Sequence, residues 1–352
     1  MKEDINEEAK GYLTFEEMMT EYEKRPKTNY IWSGIKENSF GLVFGPSKSG
    51  KTIFCENFAM KIAMGSKEYF GHKLSGEPKK VLFVGLEEYW QNRAERNLKQ
   101  HNALSEEQKA LVNENFRYQT INFQQMILSE NDWEELEKTI KNSEAKVVFV
   151  DSITRMTTGK IENADIAGKI MRRMRTICYQ NKITLIAIHH TPKMSDDLIT
   201  MDKIKGSAVF AQESDFAIGI NKTSKGNSYM KDVFFRYAPV EYELVKEFVI
   251  DENVWLDNVA EVEEEEILNR ADRRRTANYD DIIIDYFNSN STKSFKTSET
   301  IEYFQTVLPI KNRSIKECLS KLSKANKING SVHGKYSSIM YNYIEEGGRD
   351  EK

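Results

Sequence analysis

The stretch SFGLVFGPSKSGKTIFCENFAMKIAM, residues 39–64, decides the fold. Its first part, SFGLVFG (39–45), is a continuous apolar run, the pattern of a strand covered on both faces. Its last part, TIFCENFAMKIAM (52–64), has the length and composition of a helix. Between them GPSKSGKT (45–52) matches G-x-x-x-x-G-K-S/T in full. Such a loop turns backbone N–H groups toward phosphate oxygens at a helix N-terminus, where the macrodipole also favours an anion. The expected cradle is Gly45, Pro46, Ser47, Lys48, Ser49, Gly50, Lys51 and Thr52, with Ile53 in the first helical turn. Lys51 is expected at the β/γ-phosphates, and the Thr52 hydroxyl on Mg²⁺.

Outward from this loop, apolar runs alternate with helical patterns. VLFVGLE (81–87), KVVFVDS (146–152) and ITLIAIHH (183–190) read as strands. YWQNRAERNLKQ (89–100), WEELEKTIKN (133–142) and ADIAGKIMRRMRTICYQN (164–181) read as helices. This is the signature of β-α-β units and a mainly parallel sheet. After Gly206 the rhythm changes to three closely linked strands, 215–222, 229–238 and 241–251, an antiparallel extension with a turn at Gly226-Asn227. The expected organisation is an arm over 1–27, an α/β domain over 28–255, a charged linker over 256–277, a small α+β domain over 278–345 and a tail over 346–352. Three helical patterns and an alternating hairpin around His333-Gly334 give 278–345 a winged-helix outline.

The 352 residues are 39% apolar and 30% charged, with a net charge of −4, so no global basic field points to nucleic acid. Cys55, Cys178 and Cys318 are scattered, which suggests neither disulfides nor zinc and fits a reducing, cytoplasmic setting. No leader-like N-terminus and no run of about 18 apolar residues is present, so membrane insertion is not expected.

Three strand ends carry further chemistry. VVFVDS ends in Asp151, placed either to hold Mg²⁺ through water or to cap the next helix. VLFVGLEE ends in Glu87 and Glu88; either carboxylate could take a proton from an attacking water, or simply start a helix. IAIHHTPK ends in His189 and His190, which point to opposite faces, so one suits the γ-phosphate and the other the core.

With these elements in order, residues 28–252 resemble the RecA-like hexameric replicative helicases, most nearly the plasmid RepA type, with DnaB-type helicases and KaiC-like ATPases as more distant kin. The resemblance rests on NYIWSGIKENSFGLVFGPSKSGKT, VGLEE, VVFVDS, AIHHTPK and KGSAVFAQESDFAIGI. It implies a RecA-like P-loop core, ATP and Mg²⁺ as cofactors, Glu87 as catalytic base and Asp151 at the metal. It also implies a histidine sensor, His190 or His189, and a channel-facing loop over 191–206 with Lys193, Lys203 and Lys205 beside Asp196, Asp197 and Asp202. An arginine finger falls at Arg236, with Lys222 and Lys231 as alternatives. A trans-acting finger implies a homo-oligomeric ring, possibly a hexamer, working on DNA with replication or mobile-element proteins. The alternative is a KaiC- or recombinase-like ATP-gated scaffold or regulator.

The basic run KIMRRMR (169–175) is a second DNA candidate, or a solvated helix face. Between Ser291 and Met340 nine basic residues stand against three acidic ones. Arg313 and Lys316 fall on the third predicted helix, where a helix-turn-helix places its recognition helix, and Lys335 falls at the wing.

Overall fold

The structure is a computed structural model that describes residues 11–24, 28–120, 126–159, 161, 163–194, 196–204, 208–269, 279–308, 312–330 and 335–340. The chain divides into two compact units, Met1–Asn269 and Arg270–Lys352.

The first unit is built on one nine-stranded sheet. Its strands are β1 (Phe40–Pro46), β2 (Val81–Gly85), β3 (Phe116–Tyr118), β4 (Val147–Asp151) and β5 (Thr184–Thr191), then β6 (Phe216–Lys222), β7 (Ser228–Phe235), β8 (Leu244–Ile250) and β9 (Leu256–Glu263). They lie in the order β9-β8-β7-β6-β1-β5-β4-β2-β3. The six strands from β6 to β3 are parallel, and β7, β8 and β9 add on antiparallel. Helices α2 (Lys51–Ala63), α3 (Trp90–Asn102), α4 (Glu106–Asn115), α5 (Glu130–Ser143) and α6 (Ala164–Asn181) cross between the parallel strands.

The strands' unbroken apolarity follows from their two covered faces. Along β4, Val148 and Val150 join Leu136, Ile140, Met171 and Met174 on one side. Val147 and Phe149 join Phe54, Phe58 and Ile62 of α2 on the other. Local signals set the helix starts. Ser105 with Gln108 and Ser129 with Asp132 form capping boxes, and Asn163 accepts from the first-turn amides of α6. Among the described residues of the N-terminal arm, α1 (Phe15–Lys24) buries no side chain.

Three elements differ from the sequence expectation. The edge strand β3 has three residues, too few for a periodicity to register. The helix α4 lies outside the helices read from sequence, although it begins on a capping box. The charged linker expected over 256–277 begins later: β9 pairs with β8, and α8 (Glu264–Asn269) buries Ile267 and Leu268. An edge strand has one ladder and a wet face, so its acidic residues sit in water and the segment reads as solvated chain. Residues 270–278 lie outside the described residues.

Glu264, at the start of α8, is buried yet fully engaged. It accepts from the Tyr229 hydroxyl (2.9 Å), from the Ile199 amide (2.7 Å) and from the Lys231 ammonium. Burial leaves this pair dependent on mutual neutralisation.

The second unit holds α9 (Tyr279–Ser289), β10 (Ser294–Lys296), α10 (Thr297–Val307), α11 (Asn312–Lys324), β11 (Asn329–Gly330) and β12 (Lys335–Ser337). The three strands form a small antiparallel sheet, order β10-β12-β11. Ile283, Phe287, Ile301, Phe304, Ile315, Leu319 and Ile328 make its core. The turn at His333-Gly334 and the tail over 346–352 lie outside the described residues.

Lys231→Met leaves the buried Glu264 carboxylate without its cation. It is expected to cost about 3 kcal/mol, read as a lower urea midpoint with an unchanged slope.

Candidate functional site

The phosphate loop is the turn from β1 into α2. Gly45 (φ 155°), Lys48 (φ 64°) and Gly50 (φ 103°) take positive φ within six residues. A Cβ on Gly45 would lie 1.9 Å from the Ile220 carbonyl oxygen, so only glycine fits where β1 passes β6. Gly50 caps α2 without any side-chain bond, leaving the first-turn amides open to an external anion.

The parallel sheet brings four strand ends to this loop. Thr52 Oγ1 donates to Asp151 Oδ2 at 2.9 Å. Glu87 Oε1 accepts from His190 Nε2 at 2.9 Å, from Thr154 Oγ1 at 3.3 Å and from Ser152 Oγ. Lys51 Nζ donates to the Pro46 carbonyl at 2.6 Å. Ser47 to Ile53, Glu87, Glu88, Arg96, His190, Lys222, Ser228 and Ile250 line a cavity of about 420 Å³. Glu87 and His190 thus meet in one hydrogen bond. His189 turns inward, fully buried, its ring stacked 4.4 Å from that of Phe210. Opposite pointing along β5 separates the two histidines, as the strand period requires.

Burial lowers the Lys51 ammonium to about 8, although Asp151 and Glu87 pull it up. Burial raises Glu87, but the hydrogen bonds from His190 and Ser152 outweigh it and hold the carboxyl down at about 2. The site therefore presents an ionised Glu87 at neutral pH.

The donor set fits a hard divalent cation. The Asp151 Oδ1 and Ser49 Oγ atoms are buried without a partner among the described residues. Ligand atoms of Glu87, Asp151 and His190 lie within 4.8 Å of one another. Carboxylate and hydroxyl oxygens at a phosphate cradle suit Mg²⁺.

Sequence reading missed the charges behind the site. Glu56 of α2 is buried and binds both Arg93 and Arg96 of α3; Arg93 continues to Asp151, and Arg96 to Glu88 at 3.0 Å. The available signal was an acid on an otherwise apolar helix and two arginines three apart.

Other expected residues lie elsewhere. Arg236 follows β7, which runs antiparallel, so it stands at the amino edge of the sheet, about 16 Å of strand rise from the phosphate loop. There Arg236 Nε holds Asp215 Oδ1 at 2.9 Å. Lys231 is the partner of Glu264, and Lys222 alone of the three lines the cavity. After β5, Lys193 is exposed, and Lys205 lies outside the described residues. The loop between is anchored: Ile199 and Ile204 are buried, Asp196 accepts from Ser224 Oγ at 2.6 Å, and Lys203 pairs with Asp197 at 2.7 Å. On α6, Arg173 pairs with Glu130 and Glu137, and Arg175 lies 3.7 Å from Asp215, so part of that basic run serves the fold. In the second unit Lys316 and Lys335 are exposed, while the side chain of Arg313 lies outside the described residues.

A phosphate-cradling turn at the carboxyl edge of a mainly parallel sheet, with acid-bearing neighbouring strands, defines a RecA-like P-loop ATPase fold. Residues 14–196 match the family model described as AAA domain, and the chain belongs to that family. Among solved structures it is similar to the ATPase domain of a replicative helicase, with a TM-score of 0.52 and 14% identity, over 70% of this chain and 98% of that one. No curated protein sequence matches it. No helix among the described residues is long and apolar enough to cross a membrane.

A triphosphate favours the charged form of Lys51, so binding above pH about 8 must take up a proton. Nucleotide affinity is expected to fall as pH rises from about 8 to about 9.5, by up to about tenfold per unit. Lys51→Arg is expected to flatten that slope in a titration of fluorescent nucleotide.

Proposed function

We propose that this protein is an ATP- and Mg²⁺-dependent motor acting on DNA, a RepA-like ring of identical subunits. The observation that carries the ATPase chemistry is the Glu87–His190 hydrogen bond, 2.9 Å long, beside Lys51 and Thr52. In this reading Lys51 and the loop amides bind the β/γ-phosphates, and Thr52 with Asp151 holds Mg²⁺. Bound Mg²⁺ neutralises charge on the phosphate oxygens. Glu87, ionised and steered by Ser152 and His190, orients the attacking water and accepts its proton as the bond to His190 loosens. His190 then senses loss of the γ-phosphate at the root of the loop that follows β5. Lys222, on the cavity rim, is a better placed cation than Arg236 for phosphate charge, and Arg236 would act only on a neighbour's nucleotide.

DNA is supported by exposed Lys193 on that loop, and by Lys316 and Lys335 in the second unit. The element order of the second unit, helix-strand-helix-helix-strand-strand, supports a winged helix. Neutralising phosphates with such lysines gives salt-dependent binding.

The anchored loop favours a second reading. With Asp197 occupying Lys203 and Ser224 holding Asp196, the segment meant to grip DNA is tied to its own domain. An ATP-gated scaffold or regulator needs no such grip.

Glu87→Gln is expected to retain ATP binding and lose hydrolysis by about a hundredfold or more in a phosphate-release assay; near-normal turnover moves the base to Glu88 or elsewhere. Strong stimulation of wild-type turnover by single-stranded DNA supports the motor. Stimulation by no nucleic acid supports the scaffold. Mass measurement with ATP and single-stranded DNA reads the ring.

A further inference from the structure

Arg93 is a buried guanidinium, 1% exposed, lying behind the phosphate cavity and not in its wall. Every side of it is occupied. Nη1 donates to Glu56 Oε1 and Nη2 to Asp151 Oδ2, each at 3.2 Å. Its Cζ lies 4.4 Å from the centroid of the Phe83 ring. A Cβ on Gly85 would stand 3.1 Å from Nη2 and 3.3 Å from Cζ, so the end of β2 leaves out a side chain where the guanidinium sits. Glu56 cannot follow a displaced Arg93, because Arg96 Nε holds its other oxygen at 2.9 Å.

This cradle acts on one carboxylate. Asp151 is 2% exposed; its Oδ2 takes both Arg93 and the Thr52 hydroxyl, while Oδ1 has no partner among the described residues. Two donors on one oxygen fix the carboxylate's rotation. Glu56 cancels the charge that Arg93 brings, so the pair contributes orientation more than potential.

We propose that Arg93, seated against Gly85 and Phe83 and anchored by Glu56, is a positioning residue for the divalent cation, holding Asp151 by Oδ2 so that Oδ1 is the position open to the metal or its water. This rests on the nucleotide–metal reading of Lys51, Thr52 and Asp151. Partners behind a metal-associated carboxylate commonly govern affinity by about 10- to 100-fold.

The test is the affinity of the full-length protein for fluorescent mant-ADP, measured in EDTA and in excess Mg²⁺. Arg93→Gln is expected to leave the EDTA value within about twofold and to reduce the strengthening by Mg²⁺ about tenfold. Gly85→Ala keeps every charge and presses on the guanidinium; it is expected to reduce that strengthening in the same direction, and it stands in if Arg93→Gln does not fold. A merely structural Arg93 lowers the melting temperature and leaves the Mg²⁺ strengthening intact, which overturns the proposal. A stronger Mg²⁺ effect in Arg93→Gln also overturns it, since removing a nearby cation would then be what the metal feels. Wild-type protein with no Mg²⁺ strengthening at all overturns the underlying nucleotide–metal reading and the proposal with it, a result distinct from a wild-type effect that the variants keep.

Discussion

The close pass of β1 beside β6 is the constraint on which the rest depends. At Gly45 the chain must leave the sheet so near the Ile220 carbonyl that a methyl group has no room. From there three positive-φ residues turn the backbone until Gly50 opens α2 with free amides. Everything chemical in the first unit is arranged around that opening. Parallel strands end on the same edge, so Asp151, Glu87 and His190 arrive beside it from β4, the turn after β2 and β5.

Gathering charges at a buried edge has an electrostatic cost, met by pairing. Lys51 is desolvated enough to be lowered to about 8. Glu87 remains ionised because hydrogen bonds from His190 and Ser152 outweigh its burial. Behind them Glu56 neutralises Arg93 and Arg96, and these reach Asp151 and Glu88. A site balanced in this way is ordered before any phosphate enters, which lowers the reorganisation that binding and chemistry require.

The antiparallel extension ties the same edge to the chain's later part. Glu264 receives Lys231 and Tyr229 from β7 and the Ile199 amide from the loop that follows His190. The root of the segment leading to the second unit and the loop after the sensor strand thus share one buried carboxylate. The loop holding Ile199 is consequently a packed part of the domain, with its acids engaged by Ser224 and Lys203.

Much of the first unit was legible in the sequence because its signals are local. The phosphate loop is a contiguous motif, and the covered strands β1, β2, β4 and β5 announce themselves as apolar runs. Their carboxyl ends, at Asp151, Glu87 and His190, follow from strand direction once the sheet is parallel. Short or edge elements were not legible: β3 has too few residues for a period, and β9 carries the acidic face of an edge strand. Tertiary structure alone decided that Arg236 faces the amino edge with Asp215, and that Lys231 is buried under Glu264. It alone brought Glu56, Arg93 and Gly85 behind Asp151. Arg93 reaches partners 37 and 58 positions away along the chain, and such partners are set by crossovers and register, quantities that no local pattern of side chains encodes.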